Sequence, residues 1–241
     1  MTNFYSGKSR MDRNWIVLGG WGIKPQILSG IFGNEAHYLD SNTVMPELLD
    51  KDGVLKPDWK SIILKYWNNF SNKPLLVAGW STGAVIAASI ANLINPDYLV
   101  LLSPTLSFCR KENYRLGVRR SVLQSMIKTI KTNKEKVIKD FLKACGIHGK
   151  FEDRYSETEL IAGLKFLEQA DLRFENKLPS NSIVVHGTDD LIIPVDAGKL
   201  FSEQLKCSFF EINGPHAFFS SRSESDRVKN RINEIFFIDN I

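Results

Sequence analysis

Short apolar or β-branched runs punctuate the chain at 15–18 (WIVL), 36–40 (AHYLD), 75–79 (LLVAG), 98–103 (YLVLLS), 182–187 (SIVVHG) and 208–213 (SFFEIN), with helical patterns between them. Runs of this length read as buried strands, and their alternation with helices predicts a mostly parallel central sheet joined by crossover helices, an α/β fold. The stretch from Asp58 to Phe70 shows the helical period: Trp59, Ile62, Ile63, Tyr66, Trp67 and Phe70 recur three or four apart. That spacing predicts one apolar face laid against the sheet.

The alternation stops between Leu106 and Leu178. No strand is predicted there, but three helices are: one carrying Val122, Leu123, Met126, Ile127 and Ile130, one carrying Val137, Ile138, Phe141, Leu142 and Cys145, and one carrying Leu160, Ile161, Leu164 and Leu167. Thr132 with Glu135, and Ser156 with Glu159, have capping-box spacing ahead of the second and third helices. The expected organisation is one domain, with a core from residues 1–105 and 179–241 and a helical cap inserted at 106–178.

Composition narrows the class. An apolar fraction of 43% and a charged fraction of 24% are those of a folded globular protein rather than a disordered chain. The first 14 residues are polar and WIVL is too short for a signal-peptide core or a membrane span, so the expected location is the cytoplasm. Three cysteines without Cys-X-X-Cys spacing suggest neither a disulfide framework nor a zinc site, and no metal or cofactor is expected.

The chemistry concentrates where an apolar run is interrupted, in LLVAGWSTGAVIAA. A sharp strand-to-helix turn that lifts a serine hydroxyl clear of a sheet tolerates only small residues two before and two after it. Gly79 and Gly83 stand at those places around Ser81, between an apolar strand and an Ala-rich helix. A nucleophilic serine needs an imidazole base, and the base needs an acid to fix its tautomer. Of four histidines, His37 and His148 read as packing or surface residues, and His186 ends a strand where it can bond a neighbouring loop. His216 follows Gly214 and Pro215 directly after the last strand, where a loop can bring it to Ser81. The acid belongs to HGTDDLIIP, where Asp189 and Asp190 compete. Oxyanion donors are expected from the backbone N–H of Thr82, just after the serine, and of Trp21 in LGGWG, where Gly19 and Gly20 free the backbone to turn inward. LGGWG has no third glycine in register with nucleotide-phosphate loops, and no Lys-Ser/Thr pair.

Taken together, these residues resemble the α/β-hydrolases, and within them the BioH-type pimeloyl-[acyl-carrier protein] methyl ester carboxylesterases of biotin synthesis. LGGWG is similar to that group's Leu-His-Gly-Trp-Gly, GWSTG to its Gly-Trp-Ser-X-Gly, and the stretch from Gly163 to Pro194 to its approach to the acid loop. The frame Gly187, Asp190, Pro194 matches the α/β-hydrolase pattern and selects Asp190, leaving Asp189 as a turn residue. The resemblance implies a Ser81, Asp190, His216 triad, oxyanion donors at Trp21 and Thr82, substrate contacts from Trp21, Trp80, Phe141 and Cys145, and no cofactor. Two departures stand out: Gly19 replaces the usual histidine, and the N-terminus is short for the usual opening pair of strands.

Twelve basic residues against three acidic ones lie between Leu106 and Lys150. A carrier protein is acidic, so Arg115, Arg119 and Arg120, with Lys128 and Lys131 beyond, are candidate docking residues; the plain alternative is a solvated helix face. The expected protein is a monomeric serine carboxylesterase acting on pimeloyl-acyl-carrier protein methyl ester. The alternatives are a general short-chain esterase, lactonase or thioesterase on the same triad, or a hydrolase-fold binding protein without turnover. Ser81 at the turn disfavours relatives with an aspartate nucleophile.

Overall fold

The structure is a computed structural model, and residues 15–67, 75–148 and 152–237 are described. The polar N-terminal residues 1–14, where the shortening of the sheet was expected, and Phe70 and Lys150 lie outside the described residues.

All six expected strands form, at β1 (Trp15–Leu18), β2 (His37–Leu39), β3 (Leu76–Trp80), β4 (Tyr98–Leu102), β5 (Ser182–Gly187) and β6 (Ser208–Ile212). They make one sheet in the order β2-β1-β3-β4-β5-β6, and every pairing is parallel. Alternate side chains enter opposite cores, as the strand period requires. Ile16, Leu18, Val77, Leu99, Leu101 and Val184 pack on one face with helices α2 (Ser41–Leu48), α3 (Trp59–Trp67), α4 (Thr82–Ile94) and α7 (Val195–Leu205). Trp15, Val17, Ala78, Val100, Leu102 and Val185 pack on the other with α1 (Ser29–Phe32) and α8 (Arg222–Phe237). Burial on both faces explains why the central strands β1, β3, β4 and β5 read as nearly continuous apolar runs, whereas the edge strands β2 and β6 are half exposed and carry polar residues.

Helices α2 and α3 depart from expectation. On α3, Ile62, Ile63 and Trp67 are buried, but Tyr66 is exposed and its hydroxyl donates to Glu47 of α2 at 2.7 Å. The helix lies against α2 and α4, so Tyr66 falls at the rim of the apolar stripe. The helix α2 itself was not expected; Asp40 caps it by accepting from Asn42 N–H at 3.1 Å.

Between β4 and β5 lie α5 (Arg120–Ala144) and α6 (Glu157–Gln169), with isolated bridges such as Cys109 with Val118 but no strand among the described residues. The two helices expected over 122–145 are one helix kinked at Asn133, whose φ of −155° and ψ of 73° break the helical run. Asn133, not Thr132, caps the second half: its side-chain oxygen accepts from Lys136 N–H at 3.0 Å, while the Thr132 hydroxyl donates backwards to Thr129 C=O. Glu135 consequently pairs with Lys139 instead of closing a capping box. The Ser156–Glu159 box forms as expected. No described helix is long and apolar enough to cross a membrane.

Candidate active site

The turn between β3 and α4 has the crowding that the two glycines imply. A Cβ on Gly79 would come within 2.4 Å of Gly83 C=O, and one on Gly83 within 2.4 Å of Leu18 C=O. Ser81 sits between them with φ 55° and ψ −117°, a conformation that costs a non-glycine residue about 1–3 kcal/mol and persists only where its surroundings impose it. Its N–H donates to Leu102 C=O of β4 and its C=O accepts from Val85 N–H, which pins both sides of the turn. Thr82 is the first residue of α4, where backbone N–H groups have no partner within the helix.

Asp190 and His216 meet on the neighbouring loops. Asp190 Oδ2 accepts from His216 Nδ1 at 2.6 Å, and both side chains are fully buried. Asp190 Oδ1 accepts from Ile192 N–H and Ile193 N–H, each at 2.8 Å. Burial alone would raise the Asp190 carboxyl, but the charge of His216 and the donors of His186 and His216 outweigh it and hold the group well below the usual carboxylate range. Asp189, by contrast, is exposed in the turn, with its N–H donating to Gly214 C=O.

The bond to Asp190 fixes the His216 tautomer: with the proton on Nδ1, Nε2 carries a lone pair. That Nε2 is buried and makes no hydrogen bond among the described residues, so the Ser81 hydroxyl is not bonded to it. Hydrogen bonds of this kind are often long before substrate arrives. The ring of His216 leans on Trp80, with centroids 5.3 Å apart, and Trp80 Nε1 donates to His216 C=O at 3.1 Å.

A slot of about 150 Å³ opens at Ser81, with Trp21 and Phe141 beside it and Phe108, Leu123, Met126 and Leu164 along it. Trp21 and Phe141 meet edge to face at 4.9 Å. The rim carries the exposed apolar side chains Leu191 and Val122. Two expected substrate contacts lie elsewhere. Trp80 is wholly buried under the His216 loop, and Cys145 is wholly buried beyond the end of α5, its C=O accepting from Ala217 N–H at 2.9 Å. Burial and the nearby Asp190 carboxylate push the Cys145 thiol far up, which leaves it protonated and inert. Of the candidate docking residues, Arg115 and Arg119 are exposed and free of ion pairs among the described residues, whereas Arg120 is paired with Glu168.

Sequence reasoning missed a second histidine on the acid. His186 Nε2 donates to Ile193 C=O at 2.8 Å and lies 3.2 Å from Asp190 Oδ2. Its other nitrogen has no hydrogen-bond partner among the described residues and faces Gly198, where a Cβ would come within 2.3 Å. The position, one residue before the glycine of the acid loop, was the available signal.

No protein-family model and no curated protein matches the chain in sequence. Solved structures do match in fold. An esterase from Exiguobacterium antarcticum superposes with a TM-score of 0.68 at 14% identity, covering 92% of each chain. The hydrolase olei00960 from Oleispira antarctica gives 0.67 at 12%, covering 95% of this chain and 92% of its own. BioG from Haemophilus influenzae gives 0.59 at 15%, covering 90% and 92%. The chain has the α/β-hydrolase fold.

Proposed function

We propose that the protein is a serine carboxylesterase with Ser81, His216 and Asp190 as its triad. The reading is carried by the buried His216–Asp190 pair, which leaves an unbonded lone pair on Nε2 at the sheet edge where the Ser81 turn stands. An orphaned buried nitrogen calls for an explanation, and a general base awaiting a hydroxyl proton supplies one. Ser81 Oγ attacks the ester carbonyl as Nε2 takes its proton. The N–H groups of Thr82 and Trp21 receive the oxyanion, and the imidazolium returns the proton to the departing alcohol. Water then repeats the cycle on the acyl-enzyme.

The apolar slot favours an acyl chain of methylenes, and the free Arg115 and Arg119 favour an acidic carrier. The substrate proposed is therefore the methyl ester of pimeloyl-acyl-carrier protein, with the cap at 106–178 as the docking element. Incubation with methyl pimeloyl carrier protein, read by mass spectrometry, should show loss of the methyl group, and Ser81→Ala should abolish both this and labelling by a fluorophosphonate. Wild-type turnover in Ser81→Ala would sink the mechanism; an unlabelled wild type would favour a binding protein. Hydrolysis of p-nitrophenyl butyrate as fast as that of the carrier ester would favour a general esterase.

A further inference from the structure

The loop that supplies the Trp21 donor is gripped from behind by one buried side chain that takes no part in the reaction scheme. Asn42, at the start of α2, is 1% exposed. Its Nδ2 donates to Gly20 C=O at 3.1 Å, and its Oδ1 accepts from Gly22 N–H at 2.8 Å. Beside it, the Ser41 hydroxyl donates to Gly19 C=O at 3.3 Å. Asn42 is itself fixed, since its Nδ2 also donates to Asp40 Oδ1 at 3.0 Å, and Asp40 Oδ2 accepts from the Tyr155 hydroxyl at 2.7 Å.

Gly20 C=O and Trp21 N–H belong to the same peptide group, and in a trans peptide they point in opposite directions. Holding the carbonyl on the Asn42 side therefore turns the N–H to the other side. Ser81 borders Gly20 closely: a Cβ on Gly20 would lie 3.4 Å from Ser81 Cβ and 3.1 Å from the Trp80 ring. Gly20 at one end of this peptide lowers the cost of rotating it, so its orientation needs an external holder. We infer that Asn42 is the positioning residue of the oxyanion hole, clamping the Gly20–Trp21 peptide so that its N–H faces Ser81. The inference rests on the esterase reading above. Gly19 has no room for a side chain of its own, since a Cβ there would lie 2.9 Å from Pro25 Cα.

The test compares Asn42→Ala, which removes both grips, with Asn42→Asp, which keeps volume and the acceptor for Gly22 but loses the donor to Gly20. On p-nitrophenyl butyrate both should lower kcat by roughly 10- to 100-fold, with KM within about threefold, because the lost contact matters only once the oxyanion forms. Inhibition by an alkyl trifluoromethyl ketone, which forms a tetrahedral adduct, should weaken in parallel. By amide hydrogen exchange, Gly22 should lose protection in Asn42→Ala and keep it in Asn42→Asp. Unchanged kcat and ketone affinity in both variants would overturn the inference. A wild type that neither hydrolyses the ester nor reacts with a fluorophosphonate would defeat the esterase reading instead. The clamp would then be judged by Gly22 exchange alone: accelerated in Asn42→Ala if it holds, unchanged if it does not.

Discussion

Gly83→Ala tests whether the Ser81 turn is built by close backbone approach. The added Cβ would stand 2.4 Å from Leu18 C=O and 2.6 Å from Gly19 C=O, where ordinary contact begins at 3.4 Å. Relief requires α4 and the end of β1 to separate by about 1 Å, the difference between 3.4 and 2.4 Å. Both obstructing groups are backbone, so no side chain can rotate away. Overpacking of this kind costs up to about 3 kcal/mol. Alanine's helix preference returns about 1 kcal/mol. The net loss of about 2 kcal/mol should lower Tm by about 4–8 °C in a chain of this size. The same displacement moves the Gly19–Trp21 loop relative to Ser81, and a 1 Å error between reacting groups can cost about 100-fold in kcat. Thermal melts and p-nitrophenyl butyrate kinetics read the two effects. A variant with wild-type Tm and kcat within threefold would refute the argument that glycine at 83 keeps the serine turn and the oxyanion loop in register.

The acid side makes its own predictions. Because the Asp190 carboxyl is held below its ordinary range, the native protein binds fewer protons there than the unfolded chain, so this part of its stability is present above about pH 4 and is lost as pH falls below it. Urea melts at a series of acidic pH values should show a flatter acid limb in Asp190→Asn, whose kcat should also fall by about 10⁴-fold. His186→Phe removes the imidazole that lies 3.2 Å from Asp190 Oδ2 and bonds Ile193 C=O, so kcat on p-nitrophenyl butyrate should fall and His186→Gln should restore part of it; an unchanged kcat in His186→Phe would make His186 merely structural. Replacing Arg115 and Arg119 by Gln should lower kcat/KM on the carrier-borne ester by about tenfold at low salt while sparing p-nitrophenyl butyrate, with little added by Arg120→Gln because Glu168 already pairs with it. Equal loss on both substrates would refute docking.

What could be read from the sequence was what is local. The four central strands were visible because burial on both faces makes them nearly unbroken apolar runs, and the Ser81 turn because its two glycines stand within two residues of the serine. Asp190 and Asp189 could not be separated from local pattern alone; the resemblance to the α/β-hydrolases supplied the frame from Gly187 to Pro194 that selects Asp190. Local rules also explain the failure at the α5 kink: Thr132 and Asn133 are adjacent capping residues, and only the backbone bend at Asn133 decides between them. The oxyanion clamp was not legible, because Asn42 meets the loop 20 and 22 residues away and Tyr155 meets Asp40 across 115. Trp80 and Cys145 were expected at the slot from the family resemblance, and both are wholly buried in the core behind the His216 loop, because a matching motif residue does not say whether its side chain borders a cavity or a solid core.

The segment between β4 and β5 touches two of the site's loops through hydrogen bonds, which bears on how substrate enters. Trp21 Nε1 donates to Leu160 C=O at 2.8 Å, and Tyr155 bonds Asp40, which in turn holds Asn42 behind Gly20 and Gly22, so the Gly19–Gly22 loop is tied to it directly and through Asn42. Cys145 C=O accepts from Ala217 N–H, and a Cβ on Gly146 would strike Pro215 at 2.4 Å, so the His216 loop is tied to it as well. Swinging this segment away as a rigid lid would break these three hydrogen bonds, together with the half-buried bonds of Gln169 to Leu55 N–H and Gly53 C=O, and would disturb both the His216 loop and the Gly19–Gly22 loop. The lower-cost route is local: Leu191 and Val122 at the slot's rim are exposed and free to change rotamer. On this geometry the helical segment is a fixed wall of the active site, and selection among acyl chains falls to the side chains of α5 and α6 that line the slot.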